Sequence, residues 1–301
     1  GLGMNSFINS QGFAKIGMMT VLLGAIVNII LDPIFIFGLD LGVKGAAFAT
    51  VISQFISALW TLRFLTGEKT ILKIKKQYLS LKVKYVTKII SLGMAGFMMA
   101  ITNSIVTIVC NATLQQYGGD LYIAIMTIIN SIREVASLPG QGMANACQPV
   151  LVFNYGAKEY ARVLQGIKFV TLTALSMMLI VWLAITVFPE LFIKIFSHNQ
   201  EIITHGVSAL RLYFFGFFMM SFQMTGQAAA VGLGKSKQAV FFSIFRKVII
   251  VAPLTVILPI YIGIDGVFIA EAISNFIGGG ACYITMWFTI AKKLKSGIIS
   301  E

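Results

Sequence analysis

Long apolar runs, interrupted at short intervals by glycine, aspartate or lysine, organise this chain. They fall at about residues 13–38, 43–66, 86–113, 121–146, 164–188, 203–232, 238–260 and 265–290, and residues 1–11 read as the end of another. Each full run is long enough to cross a bilayer core of about 30 Å at about 1.5 Å per helical residue. The pattern predicts an all-α polytopic membrane protein with eight full spans and the end of a ninth. Gly38-Leu39-Asp40-Leu41-Gly42, Tyr117-Gly118-Gly119-Asp120 and Gly263-Ile264-Asp265-Gly266 supply short turns. Pro189 to Glu201 is a longer polar connection.

The runs repeat. Gly42, Gly45, Ala49, Ile52, Ser53, Phe55 and Ile56 recur without a gap as Gly263, Gly266, Ala270, Ile273, Ser274, Phe276 and Ile277, an offset of 221 residues. Upstream, Gly12-x-x-Lys15 has its twin in Gly234-x-x-Lys237. A long-period repeat in a hydrophobic chain points to a transporter built from two related halves. The second unit begins near residue 85, so the offset places the start of the first about 136 residues before Gly1. The expectation is a fragment lacking the beginning of its first half. The expected organisation is residues 1–67 as the end of an N-terminal lobe, 68–88 as a basic linker and 89–301 as a C-terminal lobe.

Composition agrees with the membrane reading. Hydrophobic residues make up 57% and charged residues 11%, against about 25% charged in soluble domains. The net charge of +12 raises nucleic acid as a partner, but the placement of the charge argues against it. Lys69, Lys73, Lys75, Lys76, Lys82, Lys84 and Lys88, the 158–168 and 235–237 loops, and Lys292, Lys293 and Lys295 all flank one side of the spans. That asymmetry sets the Lys-rich loops and the C-terminus in the cytoplasm of a multi-pass cell (inner) membrane protein. The linker's Lys/Tyr/Leu mixture reads as an interfacial amphipathic segment. Cys110, Cys147 and Cys282 are unclustered and lack metal-ligand spacing, so they read as buried side chains.

Polar side chains inside the spans carry the candidate chemistry, because each is costly there. Asn28 and Asp32 share a helix face at i, i+4, and Pro33 removes the amide that would serve the carbonyl of Ile29. A carboxylate, an amide oxygen and a loosened backbone make a cation or proton site; an Asp at the outer helix end is the alternative. Thr50 and Gln54 follow on the next helix, and the repeat aligns them with Glu271 and Asn275. Met219, Gln223 and Gln227 form one stripe, and Asn103, Thr107 and Asn111 another. Such stripes face a cavity or act as interhelical glue. Asn103, Met219, Gln223, Gln227, Glu271 and Asn275 are therefore the candidate cavity residues, with Glu271 read as an acid for cationic ligands. Arg133–Glu134 reads as a structural pair with other helices. Arg211, Arg246 and Lys247 read as reaching an interface. Gly93, Gly96 and Gly278-Gly279-Gly280 read as close helix contacts.

The run Asn28-Ile-Ile-Leu-Asp32-Pro33, then Gly42-Val-Lys-Gly45-Ala-Ala-Phe-Ala-Thr50, and the later Gln148-Pro149 with Asn154-Tyr155-Gly156-Ala157-Lys158 resemble the multidrug and toxic compound extrusion (MATE) family. The resemblance covers the whole chain and is nearest the branch of bacterial DNA-damage-inducible and staphylococcal multidrug exporters. It implies twelve helices in two six-helix lobes, of which this chain holds the end of helix 4 and helices 5 to 12. It also implies export of cationic and amphipathic compounds by alternating access in exchange for H+ or Na+. No cofactor is implied, and the full-length protein would be a monomer surrounded by lipid. The family's first-lobe ion site, an Asn and an Asp one turn apart with a Thr on the next helix, maps onto Asn28, Asp32 and Thr50, with Asp32 as the residue to hold H+ or Na+. The family's further Asp on helix 1 has no counterpart in residues 1–301. Span 86–113 carries no acid, a departure from the sodium-coupled branch that has one there. A flippase for lipid-linked precursors, from the same superfamily, is the alternative; it calls for several cavity-facing Arg or Lys residues. An enzyme is not expected, because no metal cluster or nucleophile–base pair is visible.

Overall fold

The computed structural model describes residues 2–73 and 82–291, and every regular element among them is helical. The chain forms two compact units divided at Val83. The first contains α1 (Leu2–Ser10), α2 (Ala14–Pro33) and α3 (Gly42–Thr66), with α2 continuing past Pro33 as a π-helical turn, Ile34–Gly38. In the second, α4 runs Val83–Gly156 but is broken at Gly119, whose φ of 64° and ψ of −162° no helix admits. It is followed by α5 (Tyr160–Val187), α6 (Pro189–Lys194), α7 (Gln200–Phe214), α8 (Met220–Gly232) and α9 (Ser236–Ile244). A π-helical stretch, Phe245–Val251, joins α9 to α10 (Ala252–Ile262), and α11 (Asp265–Met286) continues into a π-helical turn, Trp287–Ala291.

Seven helical runs among the described residues are long and apolar enough to cross a bilayer. The longest contains the Gly119 break and so counts as two spans, which gives the eight that the apolar pattern predicts. The side chains turned outward fit lipid: Ile29, Ile108, Phe153 and Ile180 are each about two-thirds or more exposed. Residues 74–81 of the basic linker lie outside the described residues, as do Lys292, Lys293 and Lys295.

The sequence repeat is matched by backbone geometry. Gly42 and Gly263 both have positive φ, 52° and 67°, and so do Gly12 and Gly234, at 87° and 77°. Side chains rarely adopt that region, so glycine is needed to turn the chain between spans. Three residues on, a Cβ at Gly45 would lie 2.5 Å from the Phe35 carbonyl oxygen, and one at Gly266 would lie 2.6 Å from the Leu258 carbonyl carbon. Both glycines let the second helix of the hairpin start hard against the first.

Three expectations require correction. The predicted helix 203–232 is two helices: the chain breaks at Phe215-Gly216, where Gly216 has φ 75°, and a 3₁₀ turn covers Phe217–Met219. The ring of Phe276 occupies the place a Cβ at Gly216 would take, and Phe214 and Phe217 turn into the core beside Phe268. Burying that aromatic run outweighs helical continuity. Gly93 and Gly96 have open space around them rather than a neighbouring helix. The connection after Pro189 is partly helical, with Pro189 in the first turn of α6, and Asn199 caps α7 by accepting the Glu201 amide at 2.9 Å.

α11 is the pillar of the second unit. Its small, buried positions Gly266, Ala270, Ser274, Gly278 and Gly279 admit α7, α8, α10 and the 245–251 stretch at close range. A Cβ at Gly279 would come within 2.6 Å of the Met219 carbonyl oxygen, and one at Gly278 within 2.8 Å of the Arg246 side chain. The space left by Gly278 is where Arg246 lies.

Candidate functional site

In the first unit, α2 and α3 pack through Gly24, where Ser57 approaches and donates its hydroxyl to the Thr20 carbonyl at 3.0 Å. One helical turn on, the Asn28 side-chain amide donates to Asp32 Oδ1 at 3.2 Å. Both residues are half-buried. Pro33 follows and offers no amide, and the backbone then widens into the π-helical turn, closed by the Leu39 amide on the Ile34 carbonyl at 2.9 Å. Asn28, Thr50 and Gln54 line a cavity of about 530 Å³ with Asn5 and Thr20. Asp32 is not on its wall; it joins the cavity through Asn28. Thr50 is exposed and its hydroxyl donates to the Ala46 carbonyl at 2.9 Å, which leaves its oxygen free to accept. The structure thus brings Asn28 together with Asp32, and Asn28 together with Thr50, without gathering all three around one point. The oxygens present suit a small hard cation or a proton.

The second unit contains the charged centre. Arg246, on the π-helical stretch, is 2% exposed and pairs with Glu271 of α11. Its Nη1 donates to Gln223 Oε1 at 2.8 Å, and its Nε lies 3.4 Å from the Ser274 hydroxyl. Lys247 reaches the same carboxylate at 3.2 Å. A carboxylate and two cations this far from water persist only because each is paired and hydrogen-bonded. Glu271 is therefore not a free acid awaiting a cationic ligand, and Arg246 does not reach an interface. Arg246 lies ten residues from the first residue of α9, about 15 Å into the bilayer at about 1.5 Å per residue. That depth was the signal in the sequence that it needed a buried partner.

Two cavities flank this cluster. The larger, about 450 Å³, is lined in part by Asn103, Gln223, Gln227, Arg133, Glu134 and Lys247. The smaller, about 60 Å³, carries Asn103, Arg133 and Lys247 too, with Glu271 on its wall. Four of the six expected cavity residues thus meet here: Asn103, Gln223, Gln227 and Glu271. Met219 lines neither cavity; its backbone packs on Gly279. Asn275 is buried inside α11's packing, 1% exposed, with its Oδ1 unpaired. The sequence suggests that Arg133 and Glu134 pair with other helices, yet both face the larger cavity and neither forms an ion pair with another helix among the described residues.

Residues 95–257 match the sequence profile of the MatE family. The chain belongs to that family. It is 27% identical over 266 residues to the multidrug export protein MepA of Staphylococcus saprophyticus, and 26% to that of Staphylococcus aureus. In both cases the match covers 88% of this chain and 58% of the relative, so the chain spans little more than half the length of these exporters. Its fold superposes on an outward-facing multidrug-resistance MATE transporter of the MOP superfamily with TM-score 0.90 and 25% identity, over 97% of this chain and 66% of the other. A MOP-superfamily transporter from Pyrococcus furiosus, described as having a binding pocket of reverse polarity, superposes with TM-score 0.88 and 26% identity, over 94% and 64%. This MatE chain is a multi-pass membrane protein, and its known relatives are transporters rather than enzymes. Among its described residues no three His, Cys, Asp or Glu side chains are grouped to hold a metal.

Proposed function

We propose that this MatE chain provides the second lobe, and helices from the first, of a cation-coupled multidrug exporter. The observation that carries the reading is the Asn28–Asp32 pair beside Pro33 in a membrane helix of a MatE chain. A carboxylate inside a span is retained for ion or proton traffic. In this reading Asp32 binds the coupling ion, H+ or Na+, with Asn28 orienting it and Thr50 supplying a further oxygen from α3. Ion binding and cargo binding then favour opposite states of the two lobes, and the lobes rock between them. The cargo is an amphipathic drug, as expected for relatives that export drugs. The Lys-rich loops face the cytoplasm. The staphylococcal exporters among the relatives favour drug export over the flippase alternative.

The test is expression of the native reading frame in a drug-hypersensitive bacterium. Resistance to ethidium or a fluoroquinolone, with active efflux that collapses when ion gradients are dissipated, supports the reading. A well-expressed protein that confers neither resistance nor efflux to a broad amphiphile panel overturns it.

A further inference from the structure

The export reading leaves the charge of the cargo open, and the wall of the larger cavity in the second unit speaks to it. That wall carries three cations, Arg133, Arg246 and Lys247, and one acid, Glu134. Glu271, behind the wall, already answers Arg246 and Lys247. Arg133 has no such answer. It forms no ion pair among the described residues, and its Nε is buried with no hydrogen-bond partner. Counting Glu271, three cations face two carboxylates, an excess of one positive charge.

Arg133 is half-buried, with its Nε buried and unpartnered; an anion in the cavity that pairs with the rest of the guanidinium supplies the counter-charge the protein does not. Arginine presents its donors as a planar fork that matches the paired oxygens of a carboxylate or phosphate. Lys247 lines the same cavity and adds a second positive charge. The rest of the wall suits the body of an amphiphile: Met220, Met224 and Val231 give soft apolar surface, and Gln141 and Gln227 give amides. A volume of about 450 Å³ fits a drug-sized molecule.

Resting on the export reading, we propose that this cavity takes an amphiphile bearing a small oxyanion, with the oxyanion held by Arg133 and Lys247 and the apolar body along α8. The ligand is anionic or zwitterionic; a purely cationic one meets an excess of like charge. Glu134, the acid on the same wall, opposes the oxyanion and sets an upper limit on its affinity.

The experiment is equilibrium dialysis of the purified full-length protein in detergent with three probes sharing one apolar body: pyrenebutyrate, pyrenebutyl phosphate and pyrenebutyl-trimethylammonium. The expected result is binding of one or both anionic probes about tenfold or more tighter than the cationic probe, the scale of one charge-assisted hydrogen bond. The tighter anion identifies carboxylate or phosphate as the matching group. Arg133→Gln should remove the preference, and Glu134→Gln should widen it. Equal or tighter binding of the cationic probe by the unmodified protein overturns the proposal, as does binding of none of the three. A folded Arg133→Gln protein that keeps the preference also overturns it. If Arg133→Gln does not fold, Glu134→Gln decides, and an unwidened preference is then fatal. Efflux from cells is a separate readout, so the cargo proposal can fail while the export reading stands, and the reverse.

Discussion

Arg246 and Glu271, 25 residues apart in the chain, form a buried ion pair, with the arginine's aliphatic stem in the space that Gly278 leaves open. Neither residue is explicable alone. The arginine is 2% exposed, and the carboxylate beside it would be prohibitive without a counter-charge. With Lys247 and Gln223 they tie the 245–251 stretch and α8 to α11, and so fix the wall of the cavity.

Glu271→Gln leaves Arg246 and Lys247 facing each other without a counter-charge. Losing one partner of a buried pair costs about 3–5 kcal/mol. The variant should melt well below the parent in detergent and accumulate poorly in membranes. Replacing the pair together, Arg246→Met with Glu271→Leu, should recover much of the loss. A single variant that melts with the parent would show that the pair contributes nothing to the packing of α11.

The three consecutive glycines of α11 should behave differently. Gly278→Ala and Gly279→Ala press a methyl against the Arg246 side chain and the Met219 carbonyl, at 2.8 and 2.6 Å. Overpacking of this kind costs about 1–3 kcal/mol. Gly280 has no neighbour within 4 Å, so Gly280→Ala should melt at or above the parent, since alanine favours helix. Melting curves of the three variants check the order, and equal effects at all three would contradict the geometry.

Gly42 and Gly263 should show equivalent costs. Both turn the chain at positive φ between paired spans, so alanine at either costs about 1–3 kcal/mol. Comparable drops in melting temperature are expected. A loss at one position and none at the other would break the correspondence between the repeats.

The spans, their glycine turns and the repeat were legible because apolar run length and chain reversal are local properties. Asn28 and Asp32, one turn apart on a single helix, were legible for the same reason. The break at Gly216 was hidden, because Phe214, Phe215, Phe217 and Phe218 keep the run apolar through it, and it is explained by rings more than 50 positions on, Phe276 against Gly216 and Phe268 in the core. The partner of Glu271 was hidden for a similar reason: Arg246 stands on another helix, and pattern along one helix says nothing of its neighbour. Asn275 and Met219 share the stripes of Glu271 and Gln223, yet packing with α8 and α11 withdraws them from the cavity.

The most direct test of ion-coupled export is transport by the purified full-length protein in vesicles under an imposed proton gradient and, separately, an imposed sodium gradient. The account predicts accumulation of a zwitterionic fluoroquinolone driven by one of these gradients. It also predicts loss of that accumulation in Asp32→Asn, with insertion and melting temperature unchanged. Transport indifferent to both gradients, or undiminished in Asp32→Asn, would contradict it.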